Sequence, residues 1–457
     1  MLEDGILHTL ALGIKYASLT LVLYITDGYA GLYALSTKLP LITYLDHLEY
    51  GSVFRAGPNR LVFNTTTALQ EIYNNHRLTK SHVYRLTLQA SGVESIFNCV
   101  DRDRHRFKRK LIAKVVSDRS VHLFEPTRKA QIQTFLQLLL ATSKESSHSP
   151  INMTERCKRL GLDIIDLLAF GFPLNTQTEE ENRFMIKGID LGNYRAKSFM
   201  QLPALKNRFL DPLLHVVTRK ARLNYLKVLE RMISTRLAME KHAKVDFYSF
   251  IAEQVETGGP DSIRFNELWS EAVFFFPVGG DTTATAMSAL FFYLSRSPEA
   301  YSRLADEVQH TFADGDAIKG APQLSGCRYL RACFEEALRL SPPVEDSFEF
   351  RPERWMIDDQ EALRRMYTAF DAFSTGPRGC AGKSMAYLQT GMVIAKTFWY
   401  FDFEIAPGIM GAAGAGKLGG GFGRERGGEF QLYDGFTSAH DGPNLIFRTR
   451  GDYWKDL

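Results

Sequence analysis

Apolar residues recur at three- and four-residue spacing over most of the chain. This period predicts helices at roughly Thr66–Tyr73, Asp103–Val116, Thr127–Thr142, Met153–Phe170, Glu179–Phe199, Leu214–Lys241, Phe265–Ser295, Glu299–Phe312, Arg328–Leu340 and Cys380–Phe401. Alternation of period two is confined to short stretches. Between Tyr50 and Phe63 it predicts an antiparallel hairpin turning at Gly57-Pro58-Asn59, and Leu432 to Arg448, broken by Asp441-Gly442-Pro443, reads as a closing hairpin whose tip at Phe436, Thr437 and Ser438 faces a ligand. The expected class is mainly α with small β-sheets, an α+β chain. Pro407 to Gly428, rich in glycine with charges interspersed, reads as a flexible surface loop. Ile6 to Ile25 has about the length of a membrane span but carries His8 and Lys15, so it reads as an anchor, an interfacial helix or a core helix. The expected division is residues 1–27 as anchor or interfacial helix and 28–457 as one domain.

At 457 residues, 45% hydrophobic and 23% charged, the chain is neither disordered nor fibrous. A net charge of +3 is too mild for a dedicated nucleic-acid binder, so any basic function is local. Five scattered cysteines, Cys99, Cys157, Cys327, Cys333 and Cys380, form no disulfide framework and point to a reducing compartment.

Cys380 stands apart from the other four. It lies in a glycine-lined turn, Phe373-Ser-Thr-Gly376-Pro377-Arg378-Gly379-Cys380-Ala381-Gly382, immediately before a helix-forming run. Glycine lets backbone N–H groups close around the sulfur, and the helix N-terminus favours negative charge; both lower a thiol's pKa and prepare a thiolate ligand. Arg378 is available to an anionic group of the same cofactor and Phe373 to shield the sulfur. A lone cysteine without a CxxC partner argues against structural zinc. The bland alternative is a buried cysteine at a helix start.

Three further constellations carry chemistry. Phe274-Phe-Phe-Pro277-Val278-Gly279-Gly280-Asp281-Thr282-Thr283 places two glycines and a proline inside a long apolar helix. Either the glycines let a flat cofactor or ligand approach the backbone beside Asp281 and Thr282, or the segment is a kinked core helix whose hydroxyl bonds a carbonyl one turn earlier. Glu336 and Arg339 share a helix face, as a surface ion pair or as part of a larger group with Arg354 of Pro352-Glu353-Arg354-Trp355. His105 and Arg109 are one turn apart on a basic helix with Arg102, Arg104, Lys110 and Lys114, which on its own reads equally as a solvated face. Gly411 to Lys417 matches a phosphate loop in its glycines and lysine, yet Leu418 replaces the required Ser or Thr.

The pattern F-x-x-G-x-R-x-C-x-G resembles the haem-binding loop of the cytochrome P-450 superfamily, the haem-thiolate monooxygenases. Val278 to Thr283 is similar to that family's oxygen-activation signature, with Val278 at the usual small position, and Glu336, Arg339 and Arg354 match its buried triad. His105 and Arg109 fall at its W-x-x-x-R, with histidine in place of tryptophan. The resemblance runs from about Tyr50 to the C-terminus. Glu429 to Tyr433 and Thr437 to Pro443 look most like members from filamentous fungi of the microsomal type. It implies the following roles: Cys380 as the axial thiolate of haem b iron; Phe373, Gly376, Arg378 and Gly382 as the loop around it; His105 and Arg109 on a haem propionate; and Asp281 and Thr282 as the acid and hydroxyl of oxygen activation. It further implies insertion of one oxygen atom of O2 into a small apolar organic substrate at the cytoplasmic face of the endoplasmic reticulum membrane, in secondary metabolism. No flavin or nicotinamide fingerprint is present, so electrons come from a separate NADPH-dependent flavoprotein reductase, docked on the outer residues of the basic helix. Expected pocket residues lie in Lys80–Asn98, Asn182–Leu205, Phe274–Gly279 and Phe436–Ser438.

One departure follows the E-x-x-R helix. Val344 passes almost directly to Asp346 where family members place several strands and a short helix, so the fold is expected to be incomplete in its sheet region. The alternative reading is a truncated or decayed paralogue that keeps haem or ligand binding without turnover.

Overall fold

The computed structural model describes residues 28–88, 92–145, 148–206, 210–255, 263–320, 322–340 and 349–457. The Ile6–Ile25 run and the Val344–Asp346 junction lie outside these residues. Helices dominate the chain order: α1 (Gly28–Leu35) and α2 (Leu39–Tyr50), which the apolar period did not single out, precede the hairpin β1 (Val53–Gly57) and β2 (Arg60–Phe63), followed by α3 (Thr66–Tyr73), α4 (Arg102–Val115), α5 (Asp118–Leu123) and α6 (Glu125–Glu145). Then come β3 (Ile151–Asn152), α7 (Met153–Phe170), α8 (Phe184–Gln201), α9 (Leu210–Leu237), α10 (Phe247–Ile251), α11 (Phe265–Phe276) and α12 (Thr282–Arg296). The order closes with α13 (Pro298–Thr311), α14 (Pro322–Gly326), α15 (Arg328–Arg339), α16 (Gln360–Ala369), α17 (Lys383–Tyr400), β4 (Phe401–Ile405) and β5 (Asn444–Thr449).

Local signals set the ends of these helices. The Asp101 carboxylate accepts the Arg104 N–H at 2.7 Å to start α4, and Asn152 caps α7, which Gly171 closes in a left-handed turn at φ 58°. The core is built around α12, where every residue from Ala286 to Leu294 is buried against neighbours that include α7, α15 and α17. Close approach of α7 rests on small residues: a Cβ placed on Gly161 would lie 2.5 Å from the Gly280 carbonyl oxygen.

Two small antiparallel sheets complete the α+β class. The first is the expected hairpin, with Val53 opposite Phe63. The second has the order β3-β5-β4, with Phe401 opposite Thr449 and Ile151 opposite Leu445. This corrects the expected closing hairpin. Strand β5 pairs with β4 and β3, while Tyr433 bridges Ala439 in a tight loop of its own.

Candidate active site

The predicted helix Phe265–Ser295 is interrupted at its chemically unusual segment. Pro277 ends α11, and Pro277–Asp281 widens into a π turn before α12 begins at Thr282. A wide turn leaves carbonyls without helical partners, and hydroxyls take them up. Thr282 Oγ1 donates to Val278 O at 2.6 Å, Thr283 to Gly279 O at 3.3 Å and Thr285 to Asp281 O at 3.0 Å. Two of the glycines are also needed for packing: a Cβ on Gly279 would meet Ile165 at 2.7 Å and one on Gly280 would meet the Gly161 backbone. They serve the contact with α7.

Asp281 and Thr282 point to different surroundings. Thr282 is exposed, whereas Asp281 is buried. Its carboxylate accepts from Thr437 Oγ1 and from Asn193 Nδ2 at 3.3 Å, and Lys158 Nζ lies 3.3 Å from its other oxygen. Lys158 also reaches half-exposed Asp190 at 2.6 Å. Burial raises the Asp281 pKa, and the Lys158 charge and Thr437 hydroxyl only partly offset it.

Around Cys380 the loop folds as its glycines suggest. Cys380 N–H donates to Phe373 O at 2.7 Å, and Gly376 holds φ 69° where an added Cβ would strike the Tyr73 carbonyl. No side chain caps α17; the N–H groups of Gly382 and Lys383 instead act on the Cys380 sulfur. Cys380 is the one exposed cysteine of the five. The density of protein around its sulfur nevertheless raises the thiol pKa overall, against the opposing pull of those N–H groups and of Arg109 and Lys383. The expected net lowering is therefore corrected for the metal-free thiol: desolvation outweighs the helix end. Phe373 lies against Tyr387 at 5.4 Å between ring centroids.

Beside this loop the chain gathers cations. Arg378 donates to Cys99 O at 2.7 Å and Val100 O at 3.3 Å. Lys80 donates to Phe97 O at 2.6 Å beneath the Tyr84 and Phe97 rings. His105 is pushed down to about 4 by burial and then by Arg378, Lys80 and Arg109. Lys80 is pushed down to about 7, first by burial and then by Arg378. The facing carboxylate, Asp101, is engaged as the α4 cap. The excess positive charge suits a group bearing carboxylates, and a Cβ on Gly382 would meet no protein atom within 4 Å. The residues present thus fit haem. Among the described residues no three His, Cys, Asp or Glu side chains converge to hold a metal ion.

Glu336 is fully buried and binds Arg339 through two hydrogen bonds of 2.9 Å and Arg354 through one of 2.9 Å. Trp355 Nε1 and the Arg351 N–H, which the sequence did not single out, also donate to it at 2.9 Å. Such a charge tolerates burial only because each lone pair is answered. On α4, Arg104 and Lys108 turn inward to Glu267 and Glu271, which removes Arg104 from the expected docking face. Arg102, Arg106, Lys110 and Lys114, at four-residue spacing, remain exposed.

A cavity of about 500 Å³ lies among Leu86, Thr87, Leu88, Ser95, Phe97, Asn98, α8, α9, α11, Pro277 and Phe436. It draws on all four expected stretches. Its α9 wall, with Arg222 and Tyr225, had no sequence signal, since those residues share the helical period with ordinary core and surface positions.

The family model described as Cytochrome P450 matches residues 47–348 and 345–411. The chain is 27% identical to cytochrome P450 monooxygenase AKT7 of Alternaria alternata, covering 93% of this chain and 90% of that protein. Identity to the cytochrome P450 monooxygenase apf7 of Gibberella fujikuroi is 29%, over 88% and 87% of the two chains. To poxM of Penicillium oxalicum, of the same description, it is 29% over 93% and 88%. The chain belongs to the cytochrome P450 family. It is accordingly a haem-thiolate monooxygenase that takes an organic substrate, O2 and electrons from a redox partner. Nothing in these similarities supports a scaffold that binds without turnover.

Proposed function

We propose that Cys380 is the protein ligand of haem iron, that Arg378, His105, Arg109 and Lys80 hold the propionates, and that Thr282 and Asp281 manage protons for oxygen activation. The observation that carries this reading is exposed Cys380 at an α17 end capped by no side chain, beside the basic side chains of Arg378, Arg109 and Lys80 and the neutral imidazole of His105. Bound there, haem supplies the redox chemistry that puts one atom of O2 into the substrate and releases the other as water. Among the described residues, the Thr282 hydroxyl donates to the carbonyl of its own turn. Asp281, with its raised pKa, holds a proton more readily than a surface carboxylate, and Lys158 with Asp190 connects it towards solvent. Glu336, Arg339 and Arg354 fix the wall behind the loop. The aromatic floor of the cavity, Phe97, Phe274 and Phe436, supports a substrate whose reacting part is apolar.

The exposed stripe Arg102, Arg106, Lys110 and Lys114 supports docking of an acidic, NADPH-dependent flavoprotein reductase. The resemblance to microsomal members from filamentous fungi supports the endoplasmic reticulum membrane as location, with Ile6–Ile25 as the attachment; no helix among the described residues is long and apolar enough to cross a membrane.

One reconstitution tests this reading: the chain, the reductase and microsomes supplied with ¹⁸O2, NADPH and a substrate chosen by spectral binding. Wild type is expected to sediment with the microsomes and give one labelled oxygen per product. Thr282→Ala is expected to keep its haem but release more peroxide per NADPH. Unchanged coupling in a Thr282→Ala enzyme that still turns over overturns the proton role, and failure to sediment overturns the location.

A further inference from the structure

The loop between Tyr433 and Ala439 touches both the cavity and the buried acid. Its neck is closed by two backbone hydrogen bonds, Tyr433 N–H to Ala439 O at 2.7 Å and Ala439 N–H to Tyr433 O at 2.9 Å. Helix α8 fastens it again: Phe436 N–H donates to Asn193 O at 3.3 Å, and buried Lys197 donates to Asp434 O at 2.9 Å. From this frame Phe436 enters the cavity wall, where it meets Phe97 edge-on with ring centroids 4.7 Å apart. The next residue, Thr437, is buried and donates to the Asp281 carboxylate. Asn193, itself a lining residue of the cavity, donates to the same carboxylate oxygen at 3.3 Å and to Thr437 Oγ1.

A buried carboxylate keeps its charge only through the donors and cations that reach it. For Asp281, burial pushes the pKa up, and the Lys158 charge and then the Thr437 hydroxyl push it back, while Asp190 on α8 adds to the rise. On the loop itself, Asp434 faces Lys197 at 3.7 Å, and His440 is neutral because burial pushes it down to about 3. Thr437 carries no charge, so its influence depends on where the loop sets its hydroxyl. Resting on the proton role proposed for Asp281, we infer that Thr437 is a positioning residue that ties the Phe436 wall of the cavity to Asp281. Adjacent residues share a rigid peptide unit, so displacement of Phe436 by a substrate carries the Thr437 hydroxyl with it. When the hydroxyl draws away, the carboxylate loses a donor and binds its proton more tightly; when it closes in, the proton leaves more readily.

The test is the titration of Asp281 in the haem-loaded full chain, read by infrared absorption of its carboxyl group as the difference between each variant and its Asp281→Asn counterpart. In Thr437→Val and Thr437→Ala, Asp281 is expected to bind its proton about tenfold more tightly, the equivalent of one hydrogen bond to a charged group. Thr437→Ser, which keeps the hydroxyl, is expected to restore the wild-type titration. Phe436→Ala is expected to tighten proton binding as well, and to add nothing in the Thr437→Val background, because both changes act through the same contact. An unmoved titration in Thr437→Val and Thr437→Ala, no rescue by Ser, or independent, additive effects of the two positions overturns the inference. Haem content and the CO spectrum establish that each variant is folded and loaded. Peroxide release per NADPH in Asp281→Asn reports on the proton role separately: unchanged release there overturns that role, whereas an unmoved titration overturns the Thr437 link alone.

Discussion

His440 joins three parts of the chain through one imidazole. It is buried, with Nδ1 2.7 Å from Thr154 Oγ1 on α7 and Nε2 3.0 Å from Thr285 Oγ1 on α12. Burial, aided by the charge of Lys158, pushes its pKa down to about 3. The folded state therefore binds the neutral ring, whereas the unfolded chain takes up a proton near pH 6.5. Because the folded value is the lower one, stability is fully present above about pH 6.5 and falls as pH drops towards 3. Between pH 7.5 and 5 this residue should cost about 2 kcal/mol of unfolding free energy. In His440→Gln that acid-sensitive part should disappear, so urea unfolding at the two pH values should show a smaller difference than in wild type; an unchanged difference would refute the assignment.

At this scale, what the sequence reveals is what lies within a few residues. Cys380 with its glycines and Arg339 with Glu336 are short-range patterns whose physical purpose can be stated from spacing alone. Lys80 escapes such reasoning because its charge acquires meaning only beside Arg378, nearly three hundred residues later. Trp355 and Thr437 are similar: each completes the environment of a carboxylate, Glu336 or Asp281, that belongs to a different element.

Among elements, long amphipathic helices such as α7 and α4 are legible because burial of one face repeats with the helical period. The π turn is legible only as an anomaly. Its glycines suggest a ligand, α7 packs against two of them, and its hydroxyls explain how the widened backbone stays satisfied. Strand pairing is the least legible, since β5 finds β4 rather than the segment just before it. The junction at Val344–Asp346 belongs here too. The family match divides into two stretches that meet at 345–348, and the alignment to AKT7 runs to 474 positions while covering 93% of a 457-residue chain, so it carries gaps opposite this chain. The division of the family match at this point supports the proposal that a segment of the relatives is absent here. Missing neighbours leave strand edges and backbone groups unpaired, at about 1–3 kcal/mol for each buried group. A chain with the segment restored should melt higher and retain more haem, and equal melting and occupancy would show that the loss is tolerated.

Over the whole molecule, a helical body sets in place the Cys380 loop with its basic neighbours, the π turn between α11 and α12, and a cavity lined in part by Phe97, Phe274 and Phe436. The outer face of α4 adds the exposed basic residues Arg102, Arg106, Lys110 and Lys114, proposed above as a docking stripe. The account rests on the loop holding haem through sulfur, and the absorption of the reduced, CO-treated full chain reads haem loading and thiolate ligation together. The expected result is a thiolate-type CO spectrum in wild type and in Cys333→Ala, whose buried thiol packs in the core, and its loss in Cys380→Ala. Equal loss in both variants, or in neither, would contradict the account.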